Sequence, residues 1–453
     1  MVSRTTELKA LQTMYESTGN QIVLLCDHGR SEKESLILTF CKDKKHFYYR
    51  GKNASKELQL AFLKEAVEKT YDVKLMKNSY DECFTRIKSG NAEKLVVVID
   101  EFQSIVKKDK SFFDSILNLK NKKLYPGPVM IVLAASSLAW VRGGMDELLG
   151  ENAQSIDSIM ELKEFSFLEV VRAFPKYSVS DAVALYGIAG GCPAYLNVWD
   201  GEKSIRENVC ELILNPKGAL FHEAEDFISW ELRELSVYDT ILYAMAMGNE
   251  KLNDLYQTTG YSRAKISVYL KNLAAFDVVE KIISFETGGW ENTKKGIYRI
   301  KNPFLHFWFR FVYAHQSESC FMKPEEFYDR FIADELHSYL AGYFVKVCRE
   351  YVELLNLIGK TPIRIAQMGT WLGKEGTIDV VGRSTDGEFV VGICNWQNDT
   401  LSFEDYQNLL YSMKQAKLHG KVTYLFSATS FEKRLYDLEK EEPTVVLVDM
   451  KEL

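Results

Sequence analysis

The stretch Leu95-Val-Val-Val-Ile-Asp-Glu-Phe-Gln103 decides the fold. Five apolar residues run without a polar break, and the chain then turns acidic at Asp100-Glu101. A segment apolar on both faces of its pleat predicts a strand covered from both sides, as in parallel sheets sandwiched between helices. Ligands of such sheets bind in the crevice outside the carboxyl ends of the strands. Two acids placed there suit Mg²⁺ coordination and water activation beside a triphosphate, which makes Asp100 and Glu101 the candidate residual catalytic pair. The bland alternative is that they cap the next helix or neutralise Arg30 and Lys33. Both readings stand at this point.

Working outward, residues 6–18 carry Leu8, Leu11, Met14 and Tyr15 at helical spacing, and Gln21-Ile-Val-Leu-Leu-Cys26 reads as a buried strand. Further strands are expected at 46–50, 95–99 and 129–134, with helical patterns between them. The prediction is an α/β chain whose first domain, residues 1–157, is a doubly wound P-loop NTPase-like sheet. Asp27-His-Gly-Arg-Ser-Glu-Lys-Glu-Ser35 stands where the phosphate loop belongs. A working loop needs G-x-x-x-x-G-K-[ST], with glycines for close backbone approach and a lysine for the β- and γ-phosphates. Aligned on Ser35, His28 and Lys33 replace the glycines and Glu34 replaces the lysine. Aligned on Lys33, Asp27 and Glu32 occupy the glycine positions. Neither frame is intact. The candidate residues of this degenerate phosphate site are Gly29, Lys33, Ser35 and, after the strand 129–134, Ser137. No cofactor is certain from these residues; ATP with Mg²⁺ is the one the layout allows.

Composition narrows the class. At 453 residues the chain predicts two to four domains. Its 46% hydrophobic and 26% charged content is that of an ordinary globular protein. No run of about 18 apolar residues predicts a membrane span, and Met1-Val-Ser-Arg lacks a signal-peptide core. Eight scattered cysteines, without a Cys-x-x-Cys pair, read as reduced, mostly buried thiols of a cytoplasmic protein with no zinc site. A net charge of −7 gives no global attraction to nucleic acid, so DNA binding would need a local basic surface.

Several motifs in order resemble the prokaryotic AAA-like ATPases of the STAND group. They are Val96-Val-Val-Ile-Asp-Glu-Phe-Gln103, Ala134-Ala-Ser-Ser137, Gly190-Gly-Cys-Pro-Ala-Tyr-Leu196, the segment from Lys251 to Leu273, Lys295 to Arg310, and Gly376-Thr-Ile-Asp-Val-Val381. The resemblance implies a P-loop domain, a helical lid over 158–235, a winged helix with an aromatic linker over 236–313, and a restriction-endonuclease-like α/β domain over 314–453. It implies an ATPase with a DNA-facing module, and the phosphate loop departs from that pattern.

The residues of the middle region agree with this. Helical patterns at Val237–Met247, Leu252–Thr258 and Arg263–Phe276, the last capped by Ser262, precede two strand-like segments near 278–285 and 296–300. Arg263, Lys265, Tyr269 and Lys271 on the third helix are the candidate DNA-binding residues. Residues 251–301 hold nine Lys/Arg against five Asp/Glu, a local excess in an acidic chain. A protein partner or a second copy of the chain is the competing expectation; no membrane partner is expected. In the last domain Thr377–Val381 and Phe389–Trp396 read as a hairpin with Asp379 on its first strand. Nuclease chemistry at such a hairpin needs Glu-x-Lys on the second strand and, by the resemblance, a helical glutamate. Ile393, Asn395 and Val345 stand at those positions, so Asp379 is a vestigial nuclease residue. The sequence predicts a regulatory scaffold with degenerate nucleotide and nuclease sites, binding DNA or protein. A slow ATPase switch using Asp100, Glu101 and Ser35 is the alternative.

Overall fold

A computed structural model describes residues 4–27, 32–87, 93–138, 140–231, 234–285, 296–374 and 376–453. The chain divides into two compact units, Val2–Glu164 and Phe165–Leu453.

The first unit is built on five strands, β1 (Gln21–Cys26), β2 (His46–Arg50), β3 (Leu95–Asp100), β4 (Val129–Ala135) and β5 (Ser158–Glu161). They form one parallel sheet in the order β2-β3-β4-β1-β5. Alternation along the central strands supplies both faces. Ile22, Leu24, Val97, Ile99, Ile131 and Leu133 join one apolar cluster, and Val23, Leu25, Val96, Val98, Met130 and Val132 join the other. Every residue of β3 is buried, as its unbroken apolar run requires. Connections from β1 run to one edge of the sheet, and the chain later crosses to β5 on the opposite side of β1. The carboxyl end of β1 is therefore a switch point, where the sheet leaves a crevice. One expectation needs correcting. Residues 158–161, read as the start of a helical stretch, form the edge strand β5 and pair with Val23–Cys26. Its four residues are too few to show a period, and pairing with β1 satisfies their backbone.

The second unit begins with helices that include Phe167–Ala173, Val179–Ala189 and Pro193–Val198, the first two opened by capping boxes on Ser166 and Ser178. Between the last two, Gly190 has φ of 64°. A Cβ on Gly191 would lie 1.9 Å from the Phe165 carbonyl oxygen, so this turn requires glycine. Helices Leu235–Ala246, Leu252–Thr259 and Arg263–Ala275 follow, and then the antiparallel pair β6 (Val279–Ile283) and β7 (Gly296–Ile300). The aromatic helix Pro303–Phe311 buries Phe304, Phe307 and Phe309 completely, in keeping with a packing role. A second five-stranded sheet, in the order β12-β11-β10-β9-β8, ends the chain. Its strands are β8 (Ile365–Leu372), β9 (Thr377–Ser384), β10 (Phe389–Asn395), β11 (Gly420–Ser427) and β12 (Val445–Asp449). β8, β9 and β10 pair antiparallel, and β10, β11 and β12 parallel. The β9–β10 turn uses Gly387 at φ of 84°, a left-handed backbone that glycine adopts without strain. The long helix Ala333–Leu357 packs against this sheet. Among the described residues no helix is long and apolar enough to cross a membrane.

Candidate functional site

In the first unit, four segments meet at the carboxyl edge of the sheet. Lys33 is the first residue of the helix Lys33–Cys41, and its side chain is buried. Its Nζ donates to Ser136 Oγ at 2.6 Å and to Asp27 Oδ1 at 3.4 Å. Asp100 Oδ1 lies 3.8 Å away and Glu101 Oε1 4.0 Å away. One ammonium thus faces three carboxylates, two of them, Asp27 and Asp100, almost fully buried. The acids are held from the other side as well. Tyr48 donates its hydroxyl to Asp100 Oδ2 at 2.9 Å, and Arg50 Nε stands 3.6 Å from the same oxygen. Ser136 Oγ donates to Glu101 Oε1 at 2.5 Å and Gln103 Nε2 to Glu101 Oε2 at 2.7 Å.

The two frames of the loop differ in which residue would meet the acids. Lys33, not Glu34, faces them from the head of the helix. Glu34 points outward with its side chain 57% exposed and pairs with Arg50 at 3.5 Å. Ser35 is exposed on the helix surface. At the end of β4 it is Ser136 that touches Lys33 and Glu101, whereas the Ser137 carbonyl accepts from Val141 N. Ser136 was missed because the two serines are adjacent and only the register of β4 tells them apart. Gly29 lies outside the described residues. Glu32 has φ of 60° and Glu101 has φ of 52°, a left-handed backbone that is uncommon for residues with a Cβ. Such strain gathers at functional sites, and Glu32 adopts it where the phosphate-loop pattern has glycine.

Among the described residues, a nucleotide triphosphate with Mg²⁺ would meet three carboxylates and one lysine here. The lysine that would meet phosphate is already hydrogen-bonded. Each carboxylate about 4 Å from a phosphate charge costs roughly 4 kcal/mol at an effective dielectric of about 20.

On the helix Arg263–Ala275, Ser262 Oγ accepts from Lys265 N and fixes the first turn. Arg263 is exposed, lies over the Tyr256 ring at 4.2 Å and donates to Asn253 Oδ1 at 2.5 Å. Lys265 sits 4.5 Å from the Tyr261 ring centroid and 5.7 Å from that of Tyr269. Lys271 is exposed. The Tyr269 hydroxyl donates to Glu234, and this contact pushes its pKa up to about 12. The four residues share one helix, and Tyr269 is committed within the chain.

In the second sheet, Asp379 of β9 lines a cavity of about 320 Å³ together with Val345, Ile393 and Asn395. The three positions at which the sequence reading looks for Glu-x-Lys and a helical glutamate are thus together, and they hold two aliphatic side chains and an amide. Asn395 Nδ2 donates to the Asn398 carbonyl at 3.0 Å, so the amide shapes the turn after β10. Trp396 Nε1 donates to the His337 carbonyl at 2.8 Å and pins that turn to the long helix. Asp405 also lines the cavity, but its Oδ2 accepts from Ser402 N at 2.8 Å and Ser402 Oγ at 2.7 Å. Asp379 Oδ2 accepts from Cys394 N at 2.9 Å.

Burial pushes the Asp379 carboxyl above its ordinary range, against the Cys394 N–H and the charges of Arg349 and Arg299. A carboxyl whose folded pKa is raised costs stability as pH climbs from the usual carboxylate value, about 3.9, through the raised one. Asp379→Asn keeps an acceptor for Cys394 N and removes that cost. Its urea midpoint should exceed that of the parent at pH 7, and the difference should shrink as pH falls below about 4. A lower midpoint at pH 7 would show that the charge itself is needed.

Residues 308–409 match the family model DUF234, described as archaeal and bacterial proteins of unknown function. An uncharacterised protein of Methanocaldococcus jannaschii is 26% identical over 401 residues, 84% of this chain and 83% of the relative. Among solved structures, the Walker-type ATPase of Pyrococcus abyssi is 16% identical, with 68% of this chain and 96% of that one covered and a TM-score of 0.47. The ORC2 protein of Aeropyrum pernix is 11% identical, covers 71% of this chain and 96% of its own, and has a TM-score of 0.46. A STAND protein of Pyrococcus horikoshii with a tetratricopeptide repeat sensor is 15% identical over 79% of this chain and 50% of its own, with a TM-score of 0.30.

Proposed function

We propose that this chain is a non-hydrolysing relative of P-loop ATPases that works as a regulatory scaffold, with duplex DNA as the partner of the helix Arg263–Ala275. The observation that carries the first half is the engagement of Lys33 by Ser136, Asp27, Asp100 and Glu101. An internal ion-pair cluster stands in for the phosphates such a lysine would otherwise hold. The cavity beside Asp379 supports the same reading for the last domain. It sets Asp379 beside Val345 and Ile393, with the other lining acid, Asp405, held by Ser402, whereas Mg²⁺ takes oxygen ligands in near-octahedral order. Three helices followed by an antiparallel ribbon fit a winged helix, whose third helix enters the major groove.

A slow nucleotide switch is the second reading. It is favoured by the retention of the layout itself, with Lys33 at a helix head facing Asp100 and Glu101 at a strand end.

If the basic surface meets phosphates, the full-length protein should bind duplex DNA with an affinity that falls linearly with salt on logarithmic axes. Arg263→Ala and Lys265→Ala should each weaken binding about equally on unrelated sequences and lower the salt slope by about 1. Fluorescence anisotropy at several salt concentrations reads both. Absence of binding at low salt, or indifference to both changes, would transfer this face to a protein partner.

A further inference from the structure

The cavity beside Asp379 is not merely the remnant of a metal site. Arg349, on the helix Ala333–Leu357, lines it and buries its Nε without a hydrogen-bond partner. A buried donor left unmet costs about 1–3 kcal/mol, so it is kept where something meets it. Asp379, on the facing strand, spends Oδ2 on Cys394 N, and among the described residues no hydrogen bond reaches Oδ1. Arg349 and Asp379 share the cavity and feel one another's charge, yet no ion pair joins them. The other charges lining the space are already matched. Arg299 Nε is held by Glu250 at 2.6 Å, and Asp405 is held by Ser402. One cation, on the helix, and one anion, on a strand packed against it, thus remain to be answered. The lining also holds the aliphatic side chains of Val345, Leu372, Ile393 and Leu401, beside neutral polar ones that include Thr370 and Asn395. A volume of about 320 Å³ lies at the small end for ligand pockets.

We infer that this cavity binds a small apolar α-amino acid, its carboxylate on Arg349, its ammonium on Asp379 and its side chain against Val345 and Ile393. A zwitterion answers both charges and leaves no net charge buried, which a phosphate or a simple amine would do. Guanidinium and carboxylate groups pair through two parallel hydrogen bonds, the geometry an arginine wall serves best. The scaffold would then carry a sensor for amino-acid supply in its last domain, independently of the nucleotide site.

The test uses the full-length protein and calorimetric titration with L-leucine, L-valine, L-isoleucine and L-methionine. The comparison ligands are 4-methylpentanoate, which lacks the ammonium, 3-methylbutylamine, which lacks the carboxylate, and inorganic phosphate. At least one amino acid should bind at sub-millimolar concentration, and loss of either charged group should weaken binding at least about tenfold, or about 1.4 kcal/mol. Arg349→Gln and Asp379→Asn should each do the same. Should Arg349→Gln fail to fold, Asp379→Asn carries the test, since it removes the charge and keeps the acceptor. The inference is overturned if none of the four binds at millimolar concentration, or if binding survives Asp379→Asn unchanged. Phosphate binding that depends on Arg349, with no response to amino acids, overturns it too.

Discussion

Lys33→Ala should destabilise the protein by about 3–5 kcal/mol, the cost of removing one partner from a buried ion pair. The size follows from what the substitution leaves behind. Asp27 and Asp100 are almost fully buried and Glu101 partly so, and the Lys33 ammonium is the cation at the centre of all three. Arg50 approaches Asp100 at 3.6 Å, but with its side chain 58% exposed it is a weak substitute. Urea unfolding of the full-length variant at pH 7, followed in the transition of the first unit, reads the effect. A lysine waiting in an open, hydrated crevice for phosphate would cost far less to remove, so a loss below about 1 kcal/mol would place Lys33 in that role.

The converse experiment rebuilds the phosphate loop around Lys33. Asp27→Gly, Glu32→Gly and Glu34→Ser together restore both glycine positions and the hydroxyl, and they remove three negative charges from the approach of a triphosphate. Glu32→Gly also places glycine at a backbone φ of 60°. If even one carboxylate at about 4 Å contributes roughly 4 kcal/mol of repulsion, the triple variant should bind Mg·ATP at least about a hundredfold more tightly than the parent. The single change Glu34→Lys should do little, because Glu34 lies outside the cluster and faces Arg50. An unchanged affinity in the triple variant would mean that something other than these acids closes the site.

The architecture was legible in the chain where burial alone decides it. The runs at 21–26, 95–100 and 129–135 are strands because no other element buries such short apolar segments on both faces. The β9–β10 hairpin falls where the two strand-like segments put it. Two features were not legible. β5 is an edge strand of four residues whose pairing depends on a neighbour 135 positions away, as the bond from Ile22 N to Asp157 Oδ2 illustrates. The frame of the loop was undecided because charge and spacing allow either Lys33 or Glu34 at the helix head. In three dimensions it is Lys33 that lies 3.8 Å from Asp100. Ser136 and Arg349 were invisible for the same reason, since neither belongs to a spaced motif.

Calorimetric titration of Mg·ATP into the full-length parent protein tests the central claim most directly. With Lys33 held by Ser136 and three carboxylates, the affinity should be no tighter than about millimolar, roughly −4 kcal/mol. Micromolar binding that Lys33→Ala abolishes would contradict the account and make the protein a working nucleotide switch.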